Sequence, residues 1–488
     1  MQEPVMTVTP LSPSVDTRVL ASPVSGPAAG SPSTSRVDQA LDTIRDRLDE
    51  GFFNDVSQGD LRDISTTLNG LTAQERNAVV SELSDAELNK WTDELDNSGF
   101  LGMGGGLNVD ERRDLHATLG GSLDAAQLER VYNAYDNREQ KIELAQGVAA
   151  HATSDVKTGF IAALAPQTTE ADGMGGVMIS DMGDAEGLAV AHVLGSLGGN
   201  ASALSTAYAS LNDTQLSAVF EAGTQQTMYA NMQGGAPTYS YDAGPLAAAV
   251  DAAATSPDAE LKARVFELAG RQMASVSGAN GVLTPSVGTG DAADEIRAGM
   301  EGLLKSDVNG VVEALEQDYQ AGKGMTAFLQ ETLGQDGGAD TIRGLVDQLA
   351  RGNDLKGDML QRFTAPTQQD GGVFYPAAER MGYFSGALHQ AFEGVNKGAA
   401  ENVETLKTIF GFATGKLPGP GVGDATGWLS DQVFDTALSQ YQSGQADLFE
   451  SIVALTTPTG ADGRRPYDGP AEVSYNEGWE SVTRIPLN

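Results

Sequence analysis

The sequence predicts an all-α protein of stacked helical hairpins or solenoid-like repeats in several units, behind a disordered N-terminal tail. Three observations carry this expectation. Apolar residues recur at three- and four-residue steps through most of the chain, as in Leu41, Ile44, Leu48 and Phe52. One helix-start grammar occurs four times: Leu71-Thr72-x-x-Glu75, Leu83-Ser84-x-x-Glu87, Leu123-Asp124-x-x-Gln127 and Leu211-Asn212-x-x-Gln215. Two longer stretches also echo one another in the same order. SLDAAQLERVYNA (122–134) returns as SLNDTQLSAVFEA (210–222), and LAQGVAAHATSDVKTGFIAALA (144–165) as LAAAVDAAATSPDAELKARVFELA (246–269).

From the N-terminus, residues 1–36 are rich in Pro, Ser, Thr and Gly and hold too little apolar surface to offset the entropy of ordering. Residues 37–165 form a first helical repeat unit, punctuated by three of the four copies of this grammar. Thr, Ser, Asp or Asn at N-cap accepts a backbone N–H, and Glu or Gln three residues on reaches back. The preceding Leu staples onto Leu88, Leu128 and Leu216 in three copies; Arg76 stands there in the first. Residues 185–276 form the second unit, so that about 108–165 and 200–270 are diverged copies that bury their faces against neighbours. Gly-rich loops are expected at 166–184, 231–245 and 276–294.

Amphipathic helices resume over 291–365. Residues 372–457 predict a C-terminal helical hairpin of low polarity. Phe384, Leu388, Ala391, Phe392 and Val395 share one face of it, and Gly382 and Gly386 form a G-x-x-x-G suited to close helix approach. Residues 458–488 are expected to be an extended tail with a short strand.

Composition bounds the function. The net charge is −37 across 488 residues, which disfavours nucleic acid and anionic membrane surfaces as partners. The absence of Cys excludes disulfides, thiol nucleophiles and zinc-thiolate centres. The opening MQEPVMTVTPLSPSVDTRVL lacks the basic n-region of a Sec signal, and no apolar run is long enough to span a bilayer.

The chemistry-bearing residues form few constellations. None of His116, His151, His192 and His389 stands in a close metal-ligand spacing. GFATGKLPG (411–419) lacks the Ser or Thr a phosphate loop needs after Lys416. Asp172, Asp181, Asp184 and Glu186 lack the ligand series of a calcium loop and are taken as a solvated acidic loop. No cofactor or metal is expected. The candidate catalytic residues are Glu379, Tyr383 and His389, in a cluster with Tyr375 and Arg380. Glu379 and Tyr383 share a helix face, and His389 lies roughly 80° away from it. A plain helix surface is the simpler reading of this cluster.

LDEGFFNDVSQGDLRDISTTLNGLTAQERNAVVSELSDAELNKWTDEL, followed by GFLGMGGGLNVDERRDLHATLGG, resembles helical delivery modules of proteobacterial secreted effectors and polymorphic toxins. AERMGYFSGALHQAF and LKTIFGFATG resemble a helical module of such proteins, and the acidic, Gly-rich, Cys-free composition is loosely similar to harpins. The resemblance implies virulence or interbacterial competition, cytoplasmic residence before export, and secretion by a specialised, non-Sec system. The partners it implies are a secretion-machine component or chaperone and a host or target-cell protein. The function expected is that of a secreted effector or toxin-delivery scaffold acting by protein–protein interaction. The alternatives are an effector hydrolase with a site near 374–395 and a membrane-perturbing effector that uses the 381–441 hairpin.

Overall fold

The structure, a computed structural model, describes residues 34–49, 56–95, 106–165, 169–171, 177–179, 182–229, 238–278, 289–319, 322–353, 362, 365–369, 372–395, 405–406, 408–409 and 470–484. The chain is all-α, with nineteen helices and three two-stranded hairpins among the described residues. Most of the expected N-terminal tail, residues 1–33, lies outside them.

The helices begin where side chains can satisfy the orphan N–H groups of a first turn. α2 (Gln58–Asn69), α3 (Ala73–Glu82), α5 (Val109–Gly120) and α11 (Asp213–Ala222) each open on a reciprocal capping box, from Ser57/Asp60, Thr72/Glu75, Asn108/Glu111 and Asn212/Gln215. Ser84 and Glu87 make the same exchange at the start of α4 (Asp85–Leu95). At α6 (Ala125–Ala134) only half the box forms. Asp124 accepts from the Gln127 N–H, while the Asp124 N–H donates to Asn77 of α3 instead. The staple leucines Leu83, Leu88, Leu123, Leu128, Leu211 and Leu216 are all buried. Arg76 fills its staple position differently: its guanidinium donates to the Leu68 and Leu71 carbonyls at 2.8 and 2.9 Å.

The helices pack on their next-but-one neighbours, as expected of a solenoid. One row runs α4, α6, α8 (Ser154–Leu164) and α10 (Ala201–Ala209). The other runs α5, α7 (Arg138–His151) and α9 (Asp184–Gly195), and α9 passes contact on to α11 and α12 (Gly244–Ala254). From there α12 packs on α14 (Thr289–Ser306), and α13 (Ala259–Gly278) on α14, α15 (Val308–Asp318) and α16 (Lys323–Leu333). α1 (Thr34–Leu48) lies over α2 and α3 at one end. α17 (Gly338–Arg351) packs on α16 and on α18 (Pro376–Gly394) towards the other. One apolar core runs through the stack from Val37 to Val482.

A second device repeats at the corners between helices. An Arg from another helix donates both to a carbonyl at the end of one helix and to an acid in the first turn of the next. Arg36 joins Gly70 to Glu75, Arg45 joins Glu82 to Glu87, Arg130 joins Leu83 to Asp85, and Arg264 joins Leu211 to Asp213. Cations at helix C-termini and acids at N-termini both complement the helix dipole, so one guanidinium serves two ends at once.

The two echoing stretches share one corner contact, between the helix after the conserved Lys and the start of the helix that the capping grammar opens. Two residues beyond the shared Lys157 and Lys262, Gly159 abuts Ala125 at the start of α6, and Arg264 reaches Asp213 at the start of α11. The second copy carries an insertion, a hairpin of β3 (Gln225–Tyr229) and β4 (Thr238–Asp242) between α11 and α12. Strand therefore replaces part of the expected 231–245 loop, and β1 (Thr169–Ala171) pairs with β2 (Val177–Ile179) in the 166–184 loop. Thr227, Tyr229, Thr238, Tyr239 and Tyr241 are strand formers, a local preference that the turn residues around them obscure.

Two C-terminal expectations change. Residues 470–483, expected as extended tail, form helix α19 (Pro470–Thr483), which starts on a Pro suited to the first helical position. Gly382 and Gly386 of α18 meet this helix, whereas nearly all of the expected 372–457 hairpin beyond Val395 lies outside the described residues. A Cβ on Gly382 would lie 2.0 Å from the Tyr475 carbonyl oxygen, and one on Gly478 would lie 2.1 Å from that of Glu379. Glycine on both helices lets the backbones touch. A face built on Gly478 carries no apolar side chain at that position, so hydropathy alone does not reveal it.

Candidate functional site

α18 is positioned by its apolar face. Phe384, Leu388 and Ala391 are fully buried, and the helix packs on α15, α16 and α17. β6 (Gly372–Phe374) pairs with β5 (Thr367–Gln369) and leads into α18 through Tyr375, whose N–H donates to Ser474 Oγ of α19 at 3.3 Å. Where α15, α18, α19 and the end of β6 converge, a cleft of about 530 Å³ opens. Its walls include Glu316, Phe374, Glu379, Glu477, Glu480 and Arg484.

Glu316 is only 8% exposed and meets the Glu379 carboxyl in a side-chain hydrogen bond. Two carboxyl groups can bond this way only if one carries a proton, so the pair titrates as a unit. Burial raises Glu316 well above the usual carboxyl range, and the hydrogen bond and charge of Glu379 push it further. Glu379 is raised too, by burial first; its hydrogen bond with Glu316 opposes this and the charge of Glu477 adds to it. The neighbouring guanidinium of Arg380 is engaged with Glu313 at 2.6 Å.

Of the three candidate residues only Glu379 lines the cleft. Tyr383 is fully buried and donates its hydroxyl to the Tyr319 carbonyl at 3.2 Å, and burial raises its phenol far above the ordinary value. That is the setting of a core tyrosine. The His389 ring lies 5.3 Å from that of Trp479, which in turn stacks on Tyr475 at 6.4 Å. The three side chains do not converge on one reacting position. The missing partner, Glu316, stands in VVEALEQDYQ on another helix, and no spacing in the sequence ties it to Glu379.

A second polar cluster lies within the α5–α7 contact. Arg112 donates to Glu143 at 3.1 Å, His116 Nδ1 lies 3.4 Å from Glu143, and His116 Nε2 is 2.8 Å from the Tyr135 hydroxyl. Burial pulls the Glu143 carboxyl upward, but His116 and Arg112 outweigh it and hold it down at about 2. Burial lowers His116 below its ordinary value and raises Tyr135, so this network rests as neutral Tyr, neutral His and an Arg–carboxylate pair. Gly120 and Gly147 bring the two helix backbones together beside it.

The remaining sequence candidates are dispersed. His151 is exposed, and His192 is half-buried with Gln146 at 3.5 Å. Glu186 faces Lys141 at 3.4 Å, while Asp172, Asp181 and the 411–419 stretch lie outside the described residues. Among the described residues, no group of three or more His, Asp and Glu is arranged to hold a metal ion, and no helix is long and apolar enough to cross a membrane. No known protein family, curated protein or solved structure matches the chain.

Proposed function

We propose that the protein is an interaction scaffold, a secreted effector or toxin-delivery module that works by binding other proteins. The observation that carries this reading is the stack of next-but-one helix contacts among α4 to α14. Stacked repeats of this kind present a long continuous surface, which suits recognition of another macromolecule. The net charge of −37 favours a basic partner surface. Export by a specialised, non-Sec system belongs to the same reading. Release of tagged protein from a producing strain, compared with a strain lacking the secretion machine, tests that part. Equal release from both rejects it. Neutralising exposed acids of the array, such as Asp110, Asp114 and Glu139, should weaken binding to a basic partner and flatten its salt dependence.

The carboxyl pair favours a second reading, an effector hydrolase with its site near 374–395. A protonated carboxyl beside a carboxylate can act as general acid and base. Toxicity or hydrolysis abolished by both Glu316→Gln and Glu379→Gln, in folded protein, would support it. Activity unchanged in both rejects it.

A further inference from the structure

α19 is seated by backbone contact. Gly382 and Gly386 of α18 and Gly478 of α19 remove the side chains that would hold the helices apart, and Val482 is fully buried at the far end. Along one side of this seat lies the cleft, with acids from each of its three helices: Glu316 from α15, Glu379 from α18, Glu477 and Glu480 from α19. Among the described residues, the cations beside it are Arg380, held by Glu313, and Arg484, paired with Glu480 on its own helix. Neither guanidinium bonds the Glu316–Glu379 pair; the charge of Arg380 reaches both carboxyls and opposes their upward shift, which burial outweighs. A second full charge on that pair would sit in a buried place, facing further acids from the helix that must stay docked.

We propose that α19 is a proton-operated clasp: it stays seated on α18, across the cleft from α15, while Glu316 and Glu379 share a proton, and it lifts when that proton leaves. The sign follows from linkage. The pair binds its proton more tightly when α19 is seated than when it is free, so seating is strongest at low pH. It weakens as pH rises from the ordinary carboxyl range towards the raised folded value. His389 lies against Trp479 on the opposite flank of this seat, and the phenols of Tyr383 and Tyr475, buried in it, are raised by that burial and stay neutral through the range concerned. The clasp is independent of both functional readings, because it concerns the seating of a helix and not the reaction or partner it serves.

The absence of Cys from the chain allows a clean test. Val482→Cys places a single thiol in the buried seat, and Leu204→Cys places one in the core of α10. Labelling by a thiol reagent, divided by the rate for a free thiol peptide at the same pH, reports how often each site opens. For Val482→Cys this ratio is expected to rise about tenfold per pH unit above the carboxyl range, the slope for release of one proton. Adding Glu316→Gln or Glu379→Gln should flatten the rise, because an amide keeps the hydrogen bond without a titrating proton. Adding His389→Gln should leave it intact, and Leu204→Cys should stay protected throughout. A flat profile in Val482→Cys overturns the clasp. So does a slope that survives either Gln variant, a slope lost with His389→Gln, or parallel opening at Leu204→Cys. Far-UV circular dichroism checks that each variant folds; if a Gln variant does not, the Val482→Cys, Leu204→Cys and His389→Gln arms still decide.

Discussion

The carbonyl oxygen of Tyr475 lies 2.0 Å from the position a Cβ on Gly382 would occupy. Gly382→Ala must therefore push α19 away from α18, and overpacking of this kind costs about 1–3 kcal/mol. Gly344 of α17 is the control: it sits mid-helix on an exposed face with nothing within 4 Å of its missing Cβ. Gly344→Ala should stabilise by about 0.5–1 kcal/mol through helix propensity. Urea denaturation of the two variants should give shifts of opposite sign.

Arg76 replaces a hydrophobic staple with bonds to the Leu68 and Leu71 carbonyls. Arg76→Ala takes the charged donor from both carbonyls, leaving Leu68 with the backbone N–H of Leu71, and removes packing, and is expected to cost about 2–3 kcal/mol. Arg76→Leu restores an apolar staple and should cost less. If the two variants unfold at the same urea concentration, the packing half of this account is wrong.

Arg264 and Gly159 each stand two residues past the shared Lys of the two echoing stretches, yet meet their corners in different ways. Arg264→Ala should weaken the α11–α13 corner by about 1–2 kcal/mol, since Leu211 and Asp213 lose a charged donor. Gly159→Arg should fail more severely, because the Ala125 methyl occupies the space that side chain needs. Thermal unfolding followed by circular dichroism would rank the two.

The α5–α7 network predicts acid sensitivity. Glu143 is held down at about 2, so its contribution is present above the unfolded carboxyl value and is lost as pH falls through the folded one. His116 is also lowered, so its contribution is full above the unfolded imidazole value and declines as pH falls below it. Together they place the loss between about pH 6.5 and about pH 2, with Glu143 contributing on the order of 2–3 kcal/mol. Glu143→Gln should flatten the acid limb of a stability–pH curve. An unchanged limb would locate acid unfolding elsewhere.

Much of the fold was legible because helix starts depend on residues close in sequence. Thr72 and Glu75, or Asn212 and Gln215, are enough to mark where a helix begins, and apolar spacing marks its buried face. The corner arginines were not legible: Arg264 bonds Asp213 from another helix, and an exposed Arg in a helical pattern looks the same whether or not it has such a partner. α19 was missed because its packing face runs through Gly478, which hydropathy does not count. The same limit governs the cleft. Glu379 stood out beside tyrosine and histidine on its own helix, but the partner that defines its chemistry, Glu316, is brought to it by tertiary packing alone.

The seat on α18 has a consequence in time. Its glycine face, formed by residues 382 and 386, stays uncovered until the segment that closes it, 470–483, has been synthesised. At ordinary elongation rates the stretch between the two helices takes roughly 4 to 15 s to make. During that interval the glycine face of α18 waits without the helix that fills it in the folded chain, so the last part of the chain to be made completes a contact begun about 90 residues earlier.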